Sequence, residues 1–293
     1  MAASNQGGAT HMSVSGADGL SLQLRQWSLD GPCLLFLHGF DNDSHVWDEF
    51  APALAPYYRT LAIDQRGHGE SSWDPEGRYD NETMARDVET VLDGLGIKRV
   101  ALVGHSLGGR VAMRFAGRSP ERMAGLVIVD AGPELDARGV TRIQLETQTA
   151  EPAYPSLEAF EDVLAQRYPE ADRATLSRLA KHWLRRRSDG RFEPKTDPSF
   201  GRARGAMSAE QMQAWSRKEA SALWSALERT PCPALLIRGA ASDVLDPDTA
   251  ERMVEEVLPN GRLELIPRAG HSVMLDNPKA FQQALLRFAL GEG

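Results

Sequence analysis

Ser106 lies in Gly-His-Ser-Leu-Gly (104–108), between a short apolar run, VALVG (100–104), and a segment, 107–118, whose apolar positions repeat with a helical period. A serine hydroxyl is a weak nucleophile, but a G-x-S-x-G turn from strand to helix lifts it above the end of a sheet, where a base can reach it. Glycines are needed at 104 and 108 because side chains there would collide with the adjoining strand and helix. The chemistry such a serine performs is attack on a carbonyl carbon. It calls for a base, a carboxylate behind that base, and donors aimed at the developing oxyanion.

Seven histidines could serve as the base. His271, in AGHSVMLDNP (269–278), comes late in the chain, where the order Ser, acid, His places it. His38, His68 and His105 sit inside glycine motifs and read as structural, while His11, His45 and His182 have no motif around them. For the acid, Asp243 in RGAASDVLD (238–246) is preferred, just past an apolar strand ending at Gly239; Asp130, closing GLVIVD (125–130) one strand earlier, is the alternative. Phe40 in LHGF (37–40) and Leu107, the residue after the serine, would supply the two backbone N–H groups of an oxyanion hole.

The elements that must hold these residues can be read from apolar periodicity. LSLQLRQW (20–27) alternates like an antiparallel edge strand, whereas 33–39, 60–64, 100–104, 125–130 and 234–239 are near-continuous apolar runs, and LELIP (263–267) follows the same plan. Such runs mark parallel strands covered on both faces. Helical patterns lie between them at 44–54, 81–95, 107–118, 247–258 and 278–290. The fold expected is α/β, a mostly parallel, doubly wound sheet, built from 13–132 and 231–293. The alternation stops over 133–230, where stripes such as LEAFEDVLAQRY and ATLSRLAKHWLRRR predict an all-helical insertion, near neutral with 16 Lys+Arg against 15 Asp+Glu. Residues 1–12 carry a His-Met junction that could be a cloning scar and are left out of the fold expectation.

Composition limits the partners. With 293 residues, 42% hydrophobic and 25% charged, the chain can bury its own core, and a formal charge of −8 disfavours nucleic acid or an anionic membrane surface. Cys33 and Cys232 lack C-x-x-C spacing and read as buried thiols at strand starts. No apolar run reaches the ~20 residues of a membrane span, and no signal core opens the chain, which suggests a cytoplasmic protein. The expected partner is a small-molecule substrate, without cofactor or metal, and a homodimer is the one self-association considered.

Taken in order, LHGF, AIDQRGHGESS, GHSLGG, RGAASD and AGHSVMLDNP resemble the α/β-hydrolase fold family over about residues 32–290. The likeness is to its capped, cofactor-free branch of esterases, haloperoxidase-like enzymes and carbon-carbon bond hydrolases. The resemblance implies a helical cap at 133–230 and a Ser-His-Asp triad. Two departures stand out. The family's acid often lies three residues after the strand-ending glycine, but Asp243 lies four after Gly239, which keeps Asp130 in play; carbon-carbon hydrolases usually carry Asn before the serine, and this chain has His105. VDAGPEL (129–135) and the segment after it also resemble a subgroup that includes a hydrolase of an enamide-containing dicarboxylic acid.

The implied activity is hydrolysis of a small or medium carboxylic ester, acid-bearing esters included, through an acyl-enzyme. Cleavage of C-C, amide or enamide bonds, and a ligand receptor that retains the fold, are the alternatives. Expected substrate contacts are His105, Trp183, Met207 and Trp215, with Phe200 and Met212 as further apolar candidates. The basic run 181–187 could attract an acidic substrate, although a charge run is usually a solvated helix face.

Overall fold

Strands apolar along their whole length need cover on both faces, and they have it in the computed structural model, which describes residues 8–200, 205 and 207–291. The sheet strands are β1 (Thr10–Ser15), β2 (Ser21–Gln26), β3 (Cys33–Leu37), β4 (Arg59–Ile63), β5 (Val100–His105), β6 (Met123–Val129), β9 (Ala234–Gly239) and β10 (Gly261–Ile266). A small hairpin of β7 (Leu184–Arg186) and β8 (Phe192–Pro194) stands apart. The eight strands run in the order β1-β2-β4-β3-β5-β6-β9-β10; β1 and β2 pair antiparallel, as do β2 and β4, and every later pairing is parallel. Every residue of β3 and of β9 is buried.

The helices are α1 (Ala51–Leu54), α2 (Asn81–Gly94), α3 (Leu107–Arg118), α4 (Ala137–Thr149), α5 (Leu157–Arg167), α6 (Arg173–Trp183), α7 (Ala209–Glu228), α8 (Pro247–Arg252), α9 (Val273–Asp276) and α10 (Pro278–Leu290). On one face, Val88 and Leu92 of α2 and Val111 and Phe115 of α3 pack on Leu35 and Leu102. On the other, Phe281 and Leu285 of α10 pack with Trp47, Phe36 and Ile237.

Register brings the chemistry together. Leu37 is level with both Ile63 and Gly104, and His105 with Val129, which in turn pairs with Ile237. The residues that follow β3, β5, β6, β9 and β10 therefore emerge side by side at one edge of the sheet, the carboxyl edge where open α/β sheets place ligands.

Three expectations change. The excluded start is partly structural, since β1 begins at Thr10 and pairs His11 with Arg25 and Met12 with Leu24. The insertion is not all helical: ATLSRLAKHWLRRR is helix only to Trp183, where the chain turns into the β7–β8 hairpin, its arginines exposed. Nor does the insertion stand wholly apart. Leu223 and Leu227 of α7 are fully buried in the same cluster as Val111 and Phe115, so α7 completes the sheet's own helical layer. Cys33 and Cys232 are buried free thiols, and burial pushes them up to about 12 and about 11.

Leu227→Ala should therefore cost ~2–5 kcal/mol of global stability and lower a single unfolding transition in urea. An early transition split from an unchanged main one would show that α7 belongs to a separable unit instead.

Candidate active site

Ser106 occupies the tip of the turn between β5 and α3 with φ 51° and ψ −114°. A non-glycine residue rarely takes a positive φ, and the surroundings enforce it here. A Cβ at Gly104 would lie 2.3 Å from the Gly108 carbonyl oxygen, and one at Gly108 would lie 2.3 Å from the carbonyl oxygen of Leu37. Strand, elbow and helix can approach this closely only through glycine. The elbow is also bonded in place, with Ser106 N–H donating to Val129 O at 3.0 Å and Gly108 N–H to His38 O at 3.1 Å.

His271 reaches the serine from the loop after β10. Its Nε2 is 2.9 Å from Ser106 Oγ, and its Nδ1 is 2.8 Å from Asp130 Oδ2. A carboxylate only accepts, so Nδ1 carries the hydrogen and Nε2 is left to accept from the serine hydroxyl. Asp130 is fully enclosed, itself at a positive φ of 47°, and it also takes the Gly239 N–H at 3.0 Å and the Ser242 hydroxyl at 2.6 Å. A Cβ at Gly239 would meet the Gly270 carbonyl oxygen at 2.0 Å, so that glycine lets the loop carrying His271 lie against β9.

The preference for Asp243 is corrected. Its carboxylate turns away to α4, accepting from Arg142 Nε at 2.6 Å and Arg142 Nη2 at 2.8 Å, while its carbonyl takes the Gly139 N–H at 2.8 Å. The Arg142 guanidinium holds the Asp243 carboxyl below the usual carboxylate range. Ser242 is the residue three beyond Gly239, where the resemblance expected an acid, and it serves there as a donor to Asp130. Sequence spacing contained this answer as a mismatch of one residue. Ser242 itself had no motif to announce it.

The loop after β3 is tied down by its histidine. His38 Nε2 accepts the Gln65 N–H at 3.0 Å, Gln65 Nε2 donates to His38 O at 2.6 Å, and His38 Nδ1 therefore donates to Gly39 O at 2.7 Å. Burial drives the His38 pKa well down, so this tautomer stays neutral. A Cβ on Gly39 would come 3.4 Å from the Ser106 Cβ, which brings this backbone beside the nucleophile. Leu107 is the first residue of α3, so its N–H has no carbonyl of the helix to bond.

His105 is buried beneath the site, and its Nε2 lies 2.9 Å from the His271 carbonyl oxygen, a contact in which Nε2 must donate. Burial, with His271 nearby, lowers its pKa to about 3, so the ring is neutral. It is thus a tether for the His271 loop as well as part of the pocket lining.

The pocket over Ser106 and His271 has a core-side wall of Phe40, Asp41 and Asn42, and a roof of Arg142, Ile143, Glu146 and Thr147 from α4 with Arg167 and Tyr168 at the end of α5. Of the substrate contacts expected, only His105 lines it. Trp183 is buried in the packing under the roof, where its indole N–H donates to Asp43 Oδ1 at 3.1 Å. Met207, Met212 and Trp215 are half-buried and do not border the pocket, and Phe200 stands behind Phe40 at 4.9 Å between ring centres. Trp183 belongs to a buried cluster and Phe200 packs on Phe40 and Tyr79, so these two serve packing rather than the pocket. The basic run also points elsewhere: Arg185 pairs with Glu193 and Arg187 with Asp189 on the exposed hairpin. The residues that do line the roof, Arg142, Glu146 and Arg167, gave no sequence signal, being isolated charges on two separate helices.

Residues 32–278 match the family model described as alpha/beta hydrolase fold. Esterase Rv0045c of Mycobacterium tuberculosis is 30% identical over 263 residues, covering 87% of this chain and 82% of its own. The 2-(acetamidomethylene)succinate hydrolase of Mesorhizobium japonicum is 27% identical over 258 residues, 88% of each chain. Among solved structures, that of E-2-(acetamidomethylene)succinate hydrolase superposes with a TM-score of 0.81 at 25% identity, over 95% of this chain and 99% of its own. No helix among the described residues is long and apolar enough to cross a membrane.

The neutral, buried His105 makes stability depend on pH. Its folded pKa, about 3, lies below the ordinary value of 6.5, so the unfolded chain binds the extra proton and stability falls as pH drops from 6.5 toward 3. Urea unfolding at pH 7 and pH 5 should show this slope, at most ~1.4 kcal/mol per pH unit from one group, and His105→Phe should reduce it by that one group's share, because burial also lowers His38, His68 and His182. An equal slope in the variant would mean that the ring is already charged in the fold.

Proposed function

The chain belongs to the α/β-hydrolase fold family, and on that premise we propose that it is a serine hydrolase cleaving small or medium carboxylic esters through an acyl-enzyme, with Ser106, His271 and Asp130 as its triad. The observation that carries this reading is the unbroken relay from Asp130 Oδ2 through His271 to Ser106 Oγ, at 2.8 Å and 2.9 Å.

In the acylation step His271 Nε2 takes the hydroxyl proton as Ser106 Oγ attacks the ester carbonyl carbon. The imidazolium that forms is stabilised by the enclosed Asp130 carboxylate, which needs no reorganisation because its hydrogen bonds are already made. The backbone N–H groups of Phe40 and Leu107 receive the oxyanion, the second with the positive end of the α3 dipole behind it. His271 then returns the proton to the departing alkoxide. Water, deprotonated by the same nitrogen, releases the acid and restores the serine.

An ester is preferred over an amide because the relatives include a named esterase, and because an alkoxide is a better leaving group than the anion of an amine. The relative that acts on 2-(acetamidomethylene)succinate makes an amide-like enamide the second reading, favoured by its high structural similarity to this chain. Steady-state hydrolysis of p-nitrophenyl butyrate against N-acyl p-nitroanilides of the same chain length separates the two.

Asp130→Asn should lower kcat on p-nitrophenyl butyrate by on the order of 10³–10⁴, because the amide can stabilise the wrong imidazole tautomer and cannot balance its charge. Asp243→Asn should cost far less in kcat. If the two costs were reversed, the acid would be Asp243 reached by a movement of its loop.

A further inference from the structure

Glu146 occupies a position that a substrate carboxylate could otherwise take. It faces the pocket from α4, where its carboxylate bridges two guanidinium groups: Arg142 Nη1 donates to Oε1 at 2.8 Å, and Arg167 Nε lies 3.5 Å from Oε2. Each arginine is held from behind by another acid, Arg142 by Asp243 in a two-pronged contact and Arg167 by Asp41 Oδ2 at 3.3 Å. The Arg167 side chain is only 16% exposed, so its direction is set by packing, whereas Glu146 at 32% is the more exposed partner.

A packed arginine, Arg167, and a second, Arg142, aimed by its two-pronged contact with Asp243, converge beside a nucleophile and form a receptor for a carboxylate, the anion whose geometry the guanidinium fork fits. Here the chain fills that receptor itself. Counting Arg142 and Arg167 against Asp41, Glu146 and Asp243, the wall carries one net negative charge, and without Glu146 it would carry none. The helix that delivers Glu146 is lightly anchored, since Gly139 is the one buried residue of α4 and Arg142 supplies its ionic attachment to the core.

The geometry points to Glu146 as the residue that sets charge selectivity: its carboxylate plugs a two-arginine site and restricts the pocket to uncharged esters. The inference rests on the ester-hydrolase reading and deepens it by naming the substrate class. Removing the charge, not the side-chain volume, opens the site to monoanionic esters. The amide of a glutamine there still accepts weakly from Arg142 but carries no charge, so an incoming carboxylate displaces it and is no longer repelled.

The test compares substrates matched in size and differing in charge: 4-acetoxybenzoate with 4-acetoxybenzamide for the alcohol side, and phenyl hydrogen glutarate with phenyl glutaramate for the acyl side. In Glu146→Gln the anion-to-neutral ratio of kcat/KM should rise at least about ten-fold in one pair, through KM, and the gain should shrink at high salt. Adding Arg167→Met to that variant should remove the gain. Calorimetric titration with 4-hydroxybenzoate and with glutarate gives a readout that needs no turnover, and Glu146→Gln should bind one of them more tightly than the wild type does. Glu146→Ala serves in its place if melting shows the Gln variant misfolded. A ratio unchanged within about two-fold in both pairs, with unchanged binding of both acids, overturns the assignment. Absence of Ser106-dependent turnover of the neutral esters by the wild type would instead overturn the hydrolase reading, leaving the binding result to judge Glu146.

Discussion

A carboxylate with no exposed surface is expensive to bury unless its lone pairs are taken up, and Asp130 has them taken up by three donors. The Gly239 N–H comes from the last residue of β9, the Ser242 hydroxyl from the turn that follows it, and His271 from the turn after β10. One buried charge therefore fixes how those two turns lie against β6. Moving either would leave it short of a partner in a place that water does not reach. The orientation of His271, and so the direction of its lone pair toward Ser106, is a consequence of that constraint.

The remaining machinery is backbone held against backbone. Ser106 and Asp130 both sit at positive φ, at the ends of neighbouring parallel strands, and the glycines at 104, 108 and 239 allow carbonyl groups within distances that any side chain would forbid. Local strain of this kind persists only because the surrounding register over-determines it. The sheet provides the register, and His38 and His105 add specific ties: one joins the loop after β3 to the elbow and to Gln65, and the other joins the elbow strand to the carbonyl of His271. Both rings work as neutral hydrogen-bonding groups whose tautomers are set by their partners.

Much of this was legible in the chain, for reasons that can be named. Apolar runs without alternation identify parallel strands, and the glycine spacing around Ser106 follows from steric needs that any such elbow has. His271 followed from its place after the last strand. Which aspartate meets His271 did not follow, because Asp130 and Asp243 both lie just past the ends of neighbouring strands, β6 and β9, and one-dimensional spacing does not tell which carboxylate turns inward. That choice is made by Arg142, over a hundred residues from Asp243 in sequence, which draws that side chain out to α4. Strand β1 went unseen because its residues alternate weakly beside a suspected tag, and the β7–β8 hairpin because three-residue strands carry almost no pattern. The expected pocket walls failed for a different reason. Aromatic positions mark where a segment packs, and Trp183 and Phe200 pack against other parts of the protein, while the roof over Ser106 mixes Arg142, Glu146 and Arg167 with Ile143, Thr147 and Tyr168.

In the proposed mechanism Ser106 acts by covalent catalysis, and the roof decides only what arrives there. Mass spectrometry of the intact protein, rapidly quenched during reaction with p-nitrophenyl trimethylacetate and followed by peptide mapping, reads that step directly, since a bulky acyl group leaves slowly. The expected result is a burst of p-nitrophenol with one trimethylacetyl group per chain, on the peptide containing Ser106. Release of p-nitrophenol with that peptide unmodified, or with the acyl group on another residue, would contradict it.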